Sequence, residues 1–158
     1  MAEEKKMEAA QQMYRTLCAA LDNRQWHYNK VEEELLVHFG VNGEDIPMRF
    51  VIVVDADRQV LRLLSSLSFQ MSQEKRIEGA IATCAVSCHL ADGSFDYDIS
   101  DGTIVFRMAA SYAGSQIGEG LVQYLISCAC HVVDEYNDQF MALDKGMLSI
   151  GDFMARNG

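Results

Sequence analysis

Hydrophobic residues recur along this chain with two different periods, and the order of these periods limits the folds open to it. A period of three to four residues, typical of an amphipathic helix, covers the first segment of the chain. A period of two, typical of a strand, follows in three segments. A second helical segment, two more strand segments and a third helical segment complete the order. This order predicts an α+β protein with one sheet packed by helices.

Segment boundaries follow from turn residues and from where each period stops. Helices are predicted at Glu3–Asp22, Ser72–Leu90 and Gly118–Leu143, with a short one at Ser149–Arg156. Strands are predicted at Leu35–Val41, Met48–Val54, Val60–Phe69, Phe95–Ile99 and Thr103–Ala109. The first three strands are joined by short links, and a parallel crossover needs a dozen or more residues, so they are expected to form an antiparallel meander. The last two form a hairpin, and the aromatic stretch that begins at Trp26 has no assignment.

Length and composition predict a single α+β domain over residues 1–158. The chain is 49% apolar and contains one proline, which is typical of a folded protein with a buried core. We expect the core of the domain at about residues 22–143 and a C-terminal extension at residues 145–158. The formal charge is −10, which repels phosphate backbones and anionic bilayers. Nucleic acid and membrane are therefore not expected as partners.

The cysteines and the N-terminus predict a cytoplasmic protein. Glu3, Glu4, Lys5 and Lys6 stand where a signal peptide would need an apolar core. The longest weakly interrupted apolar stretch, Leu121–Val133, is far shorter than the ~20 residues of a membrane span. The five cysteines are an odd number, which is typical of reduced thiols rather than of a disulfide framework.

Two cysteine–histidine clusters invite a metal interpretation. They comprise Cys84, Cys88 and His89 in helix two, and Cys128, Cys130 and His131 in helix three. A structural zinc ion needs about four converging thiolate or imidazole ligands. Cys128 and Cys130 are about 200° apart on a helix and cannot both face one ion. Since free cysteine usually packs as a small hydrophobic residue, core packing is the preferred interpretation, and metal binding or redox sensing is the alternative.

Two further motifs resemble ligand sites but fail the sequence requirements. The aspartate-rich run Asp92–Gly102 lacks the glycine at position six and the glutamate at position twelve of a calcium loop that starts at Asp96. Strand alternation and a hairpin turn account for its aspartates. The segment Gly114–Gly120 precedes a helix, as phosphate-binding loops do, but matches neither G-x-G-x-x-G nor a Walker pattern. An ordinary loop is predicted there.

No arrangement of residues predicts a reaction. There is no G-x-S-x-G elbow, and Glu32–Glu34 is a charge run that we interpret as a solvated face. We therefore predict no catalytic, cofactor-binding or metal-binding residues and no cofactor, and we do not expect an enzyme.

The hairpin carries a family resemblance. The pattern Asp96-x-Asp98-x-Ser-Asp-Gly102-x-Ile-x-Phe106-Arg107, between a meander with a helix and a long amphipathic helix, resembles the YbjN-like family. These are small bacterial proteins often labelled sensory transduction regulators, and their fold is similar to that of type III secretion chaperones. The resemblance covers roughly Asp22 to Leu143 and implies a small, cytoplasmic α+β protein that is dimeric. It supplies no catalytic residues.

The resemblance and the missing active site lead to two functional hypotheses. The first is a non-enzymatic protein-binding module, a chaperone-like or regulatory adaptor for an unknown protein client or regulatory partner. The alternative is a small-ligand, metal or thiol-redox sensor based on the cysteine-rich helices.

Helix two also predicts a homodimer, because it is apolar on nearly every side. One apolar stripe contains Ile77, Ile81, Cys84 and Cys88, and another contains Gly79, Ala82, Val86 and Leu90. One sheet covers only one side of a helix, so the other side needs helix three or a second subunit. We predict a two-fold homodimer with helix two at or near the interface.

Overall fold

The computed structural model describes all residues 1–158 and contains one six-stranded sheet with helices packed on one of its faces. The helices are α1 (Ala2–Asn23), α2 (Arg76–His89), α3 (Glu119–Asp144) and α4 (Ile150–Asn157). The strands are β1 (Asn29–Val31), β2 (Leu36–Val41), β3 (Met48–Asp55), β4 (Val60–Gln70), β5 (Ser94–Asp98) and β6 (Thr103–Ser111). Short 3₁₀ turns at Glu32–Glu34 and Gln73–Lys75 precede β2 and α2.

The sheet is antiparallel throughout, in the order β1-β2-β3-β4-β6-β5. The β5–β6 hairpin therefore joins the meander through β6, which pairs with β4. The pairing of β4 with β6 shifts register between Ser66 and Gln70, where the regular ladder is interrupted. This order leaves β1 and β5 as the two edges of the sheet.

The core lies between the helices and one face of the sheet. Side chains along β3 alternate between buried and partly or fully exposed, as expected for a strand with one covered face. Phe50, Leu63 and Phe106 on that face belong to one buried cluster with Leu17 of α1 and Phe140 of α3. The predicted α+β class, with a meander, a hairpin and helices on one sheet, is thus confirmed.

The predicted strand count of five was too low, because the sheet has a sixth strand, β1, in the unassigned stretch after Trp26. It pairs with β2 over three residues, from Asn29 opposite His38 to Val31 opposite Leu36. None of these three residues is fully buried. A strand this short and this exposed shows no hydrophobic alternation, so only its pairing partner reveals it.

The small residues of helix α2 pack against the β5–β6 hairpin and contribute to the core of the domain. Gly79, Ala82 and Val86 are buried. A Cβ atom on Gly79 would lie 2.7 Å from the hydroxyl oxygen of Tyr97, so only glycine allows this approach. The Tyr97 hydroxyl donates a hydrogen bond to the Arg76 carbonyl oxygen over 2.8 Å. The stripe of α2 that contains Gly79, Ala82 and Val86 is therefore covered within the monomer.

The C-terminal segment contributes to the same core. Phe153 of α4 is fully buried, and its ring stacks on that of Phe140 at 5.7 Å between centroids. Ser149 caps α4 by accepting a hydrogen bond from the Asp152 backbone N–H. The segment 145–158, expected as an extension, thus packs on α3 through a large aromatic side chain.

Candidate protein-binding surfaces

The solvent face of α2 is apolar. We call Ile77, Ile81, Cys84 and Cys88 the outer stripe. Ile77 is 71% exposed and Ile81 is 44% exposed, and both cysteines are exposed. At about 100° per residue, the outer stripe is centred about 180° from the buried residues Gly79, Ala82 and Val86. A surface helix normally places charged residues there, so this face is a candidate for contact with another protein.

Cys84 and Cys88 therefore do not pack in the core, and our preferred interpretation was wrong for them. The sequence contains two apolar stripes on α2, and periodicity alone does not show which one faces inward. The sheet selects the stripe with small residues because Gly79 permits the close contact with Tyr97.

The edge strand β5 extends this apolar surface. A shallow depression of about 510 Å³ lies between α2 and β5 and includes Cys84, Cys88 and Ile99. Ile99, the last residue of the predicted strand, is 56% exposed, because β5 ends at Asp98 and Ile99 lies in the turn. Along this edge the Ser87 hydroxyl accepts a hydrogen bond from the Phe95 N–H at 2.9 Å. Helix α2 thus blocks pairing of another strand at Phe95.

A groove of about 440 Å³ lies at the opposite edge of the sheet, between α1 and the segment of β1 and its 3₁₀ turn. We call it the α1–β1 groove. Its apolar residues are Tyr14, Cys18, Ala19 and Leu35, and its polar and charged residues are Gln11, Arg15, Asp22, Lys30 and Glu32. The combination of apolar side chains with a rim of both charge signs suits a partner segment that buries side chains beside the sheet edge. Sequence reasoning missed this groove.

Hydrogen bonds hold the wall of the α1–β1 groove in place. The Tyr28 hydroxyl donates to a carboxylate oxygen of Asp22 at 2.8 Å, which ties the start of β1 to the end of α1. Burial, with a smaller contribution from Cys18, raises the pKa of Tyr14 to about 12. Burial, and the hydrogen bond to Asp22, also raise the pKa of Tyr28. Both phenols are neutral near pH 7, so the charges of the groove come from its acids and bases.

The predicted charge run Glu32–Glu34 forms the 3₁₀ turn next to this groove. All three side chains are exposed, so the interpretation as a solvated face is confirmed. Leu35 follows in a left-handed conformation with φ of 50°, and its carbonyl oxygen accepts a hydrogen bond from Val54. This turn carries the chain from β1 into β2 and keeps β1 short.

The glycine-rich segment Gly114–Gly120 borders a separate cleft of about 650 Å³ between α1 and the β6–α3 loop. The residues that line the cleft include Gln12, Gln59 and Gln116, and none of its lining residues is charged. Glu119, at the start of α3, accepts a hydrogen bond from Asn23 at 2.7 Å. No cation lies in the lining of this cleft to bind phosphate, which agrees with the interpretation as an ordinary loop.

Three of the four aspartates of the calcium-like run have a partner within the hairpin, and Asp92 accepts a hydrogen bond from the Tyr124 hydroxyl of α3. Asp96 forms an ion pair with Arg107 on the neighbouring strand at 2.9 Å. Asp98 accepts hydrogen bonds from the backbone N–H and hydroxyl of Ser100, which lowers the pKa of Asp98. Asp101 accepts from the Thr103 N–H. These bonds stabilise the hairpin and its turn, as strand alternation indicated.

The remaining cysteines differ from those of the outer stripe. Cys18 is buried, and Cys128 and Cys130 are half-buried. Burial raises the pKa of the Cys130 thiol to about 11 and also raises that of Cys128. Nowhere in the chain do three histidine, cysteine, aspartate or glutamate side chains come together in a way that could hold a metal ion.

None of the helices has the length and apolar character needed to span a membrane.

Comparisons with known proteins give a likeness of fold. No family model matches the chain, and no curated protein matches it in sequence. A chain in the structure of the HopA1–SchA chaperone–effector complex has a TM-score of 0.53 and 10% identity, over 78% of this chain and 91% of that one. A chain in the crystal structure of the ExsC–ExsE complex has a TM-score of 0.56 and 12% identity, over 82% and 93%. The chain therefore shares its α+β fold with a chain in each of these two complexes.

Proposed function

We propose that this protein is a non-enzymatic, chaperone-like module that binds an extended segment of another protein in the α1–β1 groove. The observation that carries the proposal is a groove with apolar side chains and a charged rim beside a three-residue edge strand. The likeness to a chain from a chaperone–effector complex supports a protein partner.

The geometry of the α1–β1 groove suits strand addition. An edge strand presents unpaired backbone N–H and C=O groups, and an extended segment can pair with them. Alternate side chains of that segment would then point toward Tyr14, Ala19 and Leu35. Charged residues of both signs on the rim, such as Lys30 and Glu32, would fix the register of the bound segment rather than select segments of one charge.

Filling the α1–β1 groove tests the proposal. Ala19 is half-buried in the groove, and an arginine there adds a long side chain without entering the core. Ala9→Arg is the matched control, because Ala9 is also half-buried on α1 but lines the separate cleft beside the β6–α3 loop. The wild-type chain and both variants are used as bait in a lysate of the native host. We expect co-purifying clients to be lost with Ala19→Arg alone.

The result is read by mass spectrometry and by cross-linking from a photoreactive residue at Lys30. Equal recovery of clients by Ala19→Arg and the wild type would refute binding in the groove. If no client co-purifies specifically with the wild type, this result would count against a protein-binding function for the chain.

We further propose that the outer stripe of α2 contacts a second copy of the chain in a two-fold homodimer. The outer stripe contains no charged residue, although the chain carries a charge of −10. An uncharged surface is where two copies of an acidic chain approach with least repulsion. A two-fold axis places the same surface on both subunits, which an uncharged apolar stripe satisfies without a complementary patch.

The area of the interface indicates which residues it includes. Helix α2 has 14 residues and is about 21 Å long. At about 10 Å across, it presents roughly 200 Å², while a stable interface buries about 800 Å² on each partner. The depression between α2 and β5, with Tyr97 and Ile99, therefore belongs to the proposed interface.

Several finer assignments are part of the same proposal. Membership of the YbjN-like family rests on the hairpin pattern from Asp96 to Arg107. A cytoplasmic location rests on the reduced thiols, and the lack of a nucleic-acid partner rests on the net charge of −10. We also propose that residues 1–158 fold as one domain, with Phe153 of the C-terminal segment inside its core.

The second candidate function, a thiol-redox sensor, is favoured by one observation. Cys84 and Cys88 are exposed on the same face of α2, where small disulfides and oxidants can reach them. The other forms of sensing that we considered, for a metal ion or a small ligand, have no comparable cluster of side chains in their favour.

A further inference from the structure

The two exposed cysteines lie on the surface through which we propose that two copies associate. Cys84 and Cys88 are four residues apart and share the outer stripe with Ile77 and Ile81. Both also line the depression between α2 and β5. The other three cysteines are buried or half-buried in the monomer. The exposed thiols of the chain are thus concentrated on one surface.

A disulfide within α2 is disfavoured by helix geometry. Side chains four residues apart on a helix have Cβ atoms about 5–6 Å apart. A disulfide needs a Cβ separation of about 3.5–4.5 Å, so linking Cys84 to Cys88 would distort the helix. Oxidation of either thiol therefore favours a bond to another molecule.

The surroundings of the two thiols favour a second copy of the chain as that molecule. Association through the outer stripe would place the cysteines of both copies in one interface. We infer that Cys84 and Cys88 are an oxidation site at which an interchain disulfide links two copies across α2. This inference rests on the homodimer proposed above.

The reaction balances with a disulfide such as oxidised glutathione as the oxidant. The thiolate of one cysteine attacks a glutathione sulfur, an S–S bond forms to the protein, and one glutathione thiolate leaves and takes up a proton. A thiolate of the second copy then attacks the protein sulfur of this mixed disulfide, and the second glutathione leaves. Two protein thiols are oxidised, and one glutathione disulfide is reduced to two thiols.

The test uses the purified chain of residues 1–158 with oxidised glutathione at pH 8. Non-reducing electrophoresis is expected to show a species of twice 17.7 kDa that dithiothreitol removes. The double variant Cys84→Ser/Cys88→Ser should not form it. Cys130→Ser should still form it, because burial raises the pKa of Cys130 to about 11 and keeps this thiol protonated. Circular dichroism checks that each variant is folded.

Light scattering under reducing conditions separates failure of this inference from failure of the dimer. A reduced dimer without cross-linking, or with glutathione adducts on single chains only, would overturn the interchain disulfide and leave the dimer intact. A reduced monomer without cross-linking would overturn both. A cross-link that persists in the double variant would also overturn the assignment to Cys84 and Cys88.

Discussion

Replacing Ile81 with serine removes an exposed apolar side chain from the outer stripe and should weaken the proposed homodimer. Ile81 is 44% exposed in the monomer, and that fraction is available for burial in an interface. Burying a whole isoleucine side chain contributes about 1.5–3 kcal/mol, so this fraction contributes about 0.7–1.3 kcal/mol. Two-fold symmetry doubles the loss to about 1.3–2.6 kcal/mol, which raises the dimer Kd roughly 10- to 80-fold.

Met7→Ser is the matched control for Ile81→Ser. Met7 is 46% exposed on α1, so the substitution removes a similar apolar area from a helix surface outside the proposed interface. Substitutions at exposed positions usually change the free energy of unfolding by about 0.5 kcal/mol or less, so both variants should remain folded. Val86→Glu would be a poor test, because Val86 is buried and a carboxylate there would unfold the chain.

Sedimentation equilibrium over a range of protein concentrations measures the dimer Kd, and urea unfolding measures the stability of each variant. We expect Met7→Ser to keep the Kd of the wild type. Equal Kd values for Ile81→Ser and the wild type would show that the outer stripe lies outside the interface. A wild type that stays monomeric at high micromolar concentration would refute the homodimer.

Three further predictions concern stability and follow from individual contacts. Phe153→Ala should lower the free energy of unfolding by about 3–5 kcal/mol in urea titration, because the ring is fully buried against Phe140; a loss below about 1 kcal/mol would mean that α4 is dispensable. Ser87→Ala should lower the free energy of unfolding by about 1 kcal/mol, because the Phe95 N–H loses its hydrogen-bond acceptor. The control Ser66→Ala, on the exposed side of β4, should have little effect. The hydrogen bond from the Arg58 N–H is the main cause of the lowered pKa of Asp55. The ionised Asp55 carboxylate therefore stabilises the fold above about pH 4, and this stabilisation is lost as the pH falls through the lowered pKa. Asp55→Asn should therefore destabilise the chain at pH 7 but not near pH 2, and an equal loss at both pH values would contradict this assignment.

The candidate surfaces differ in how much of them could be predicted. The apolar stripes of α2 are visible in the sequence, but the choice between them depends on Gly79, which only the packing against Tyr97 explains. The α1–β1 groove could not be predicted, since β1 has three residues and exists as a strand only through its pairing with β2. The exposure of Ile99 depends on where β5 ends, and element boundaries are the least certain part of a pattern.

Sequence patterns by themselves determined the order of helices and strands, the antiparallel meander and the hairpin, because these depend on local periodicity and on short links. They also indicated that no known catalytic motif is present. Only the tertiary structure decided which face of α2 is solvent-exposed, that β1 completes the sheet, and that Cys84 and Cys88 are more exposed than the other thiols. The physical reason is that burial depends on residues distant in sequence, and a helix that is apolar on two sides takes its orientation from the surface against which it packs.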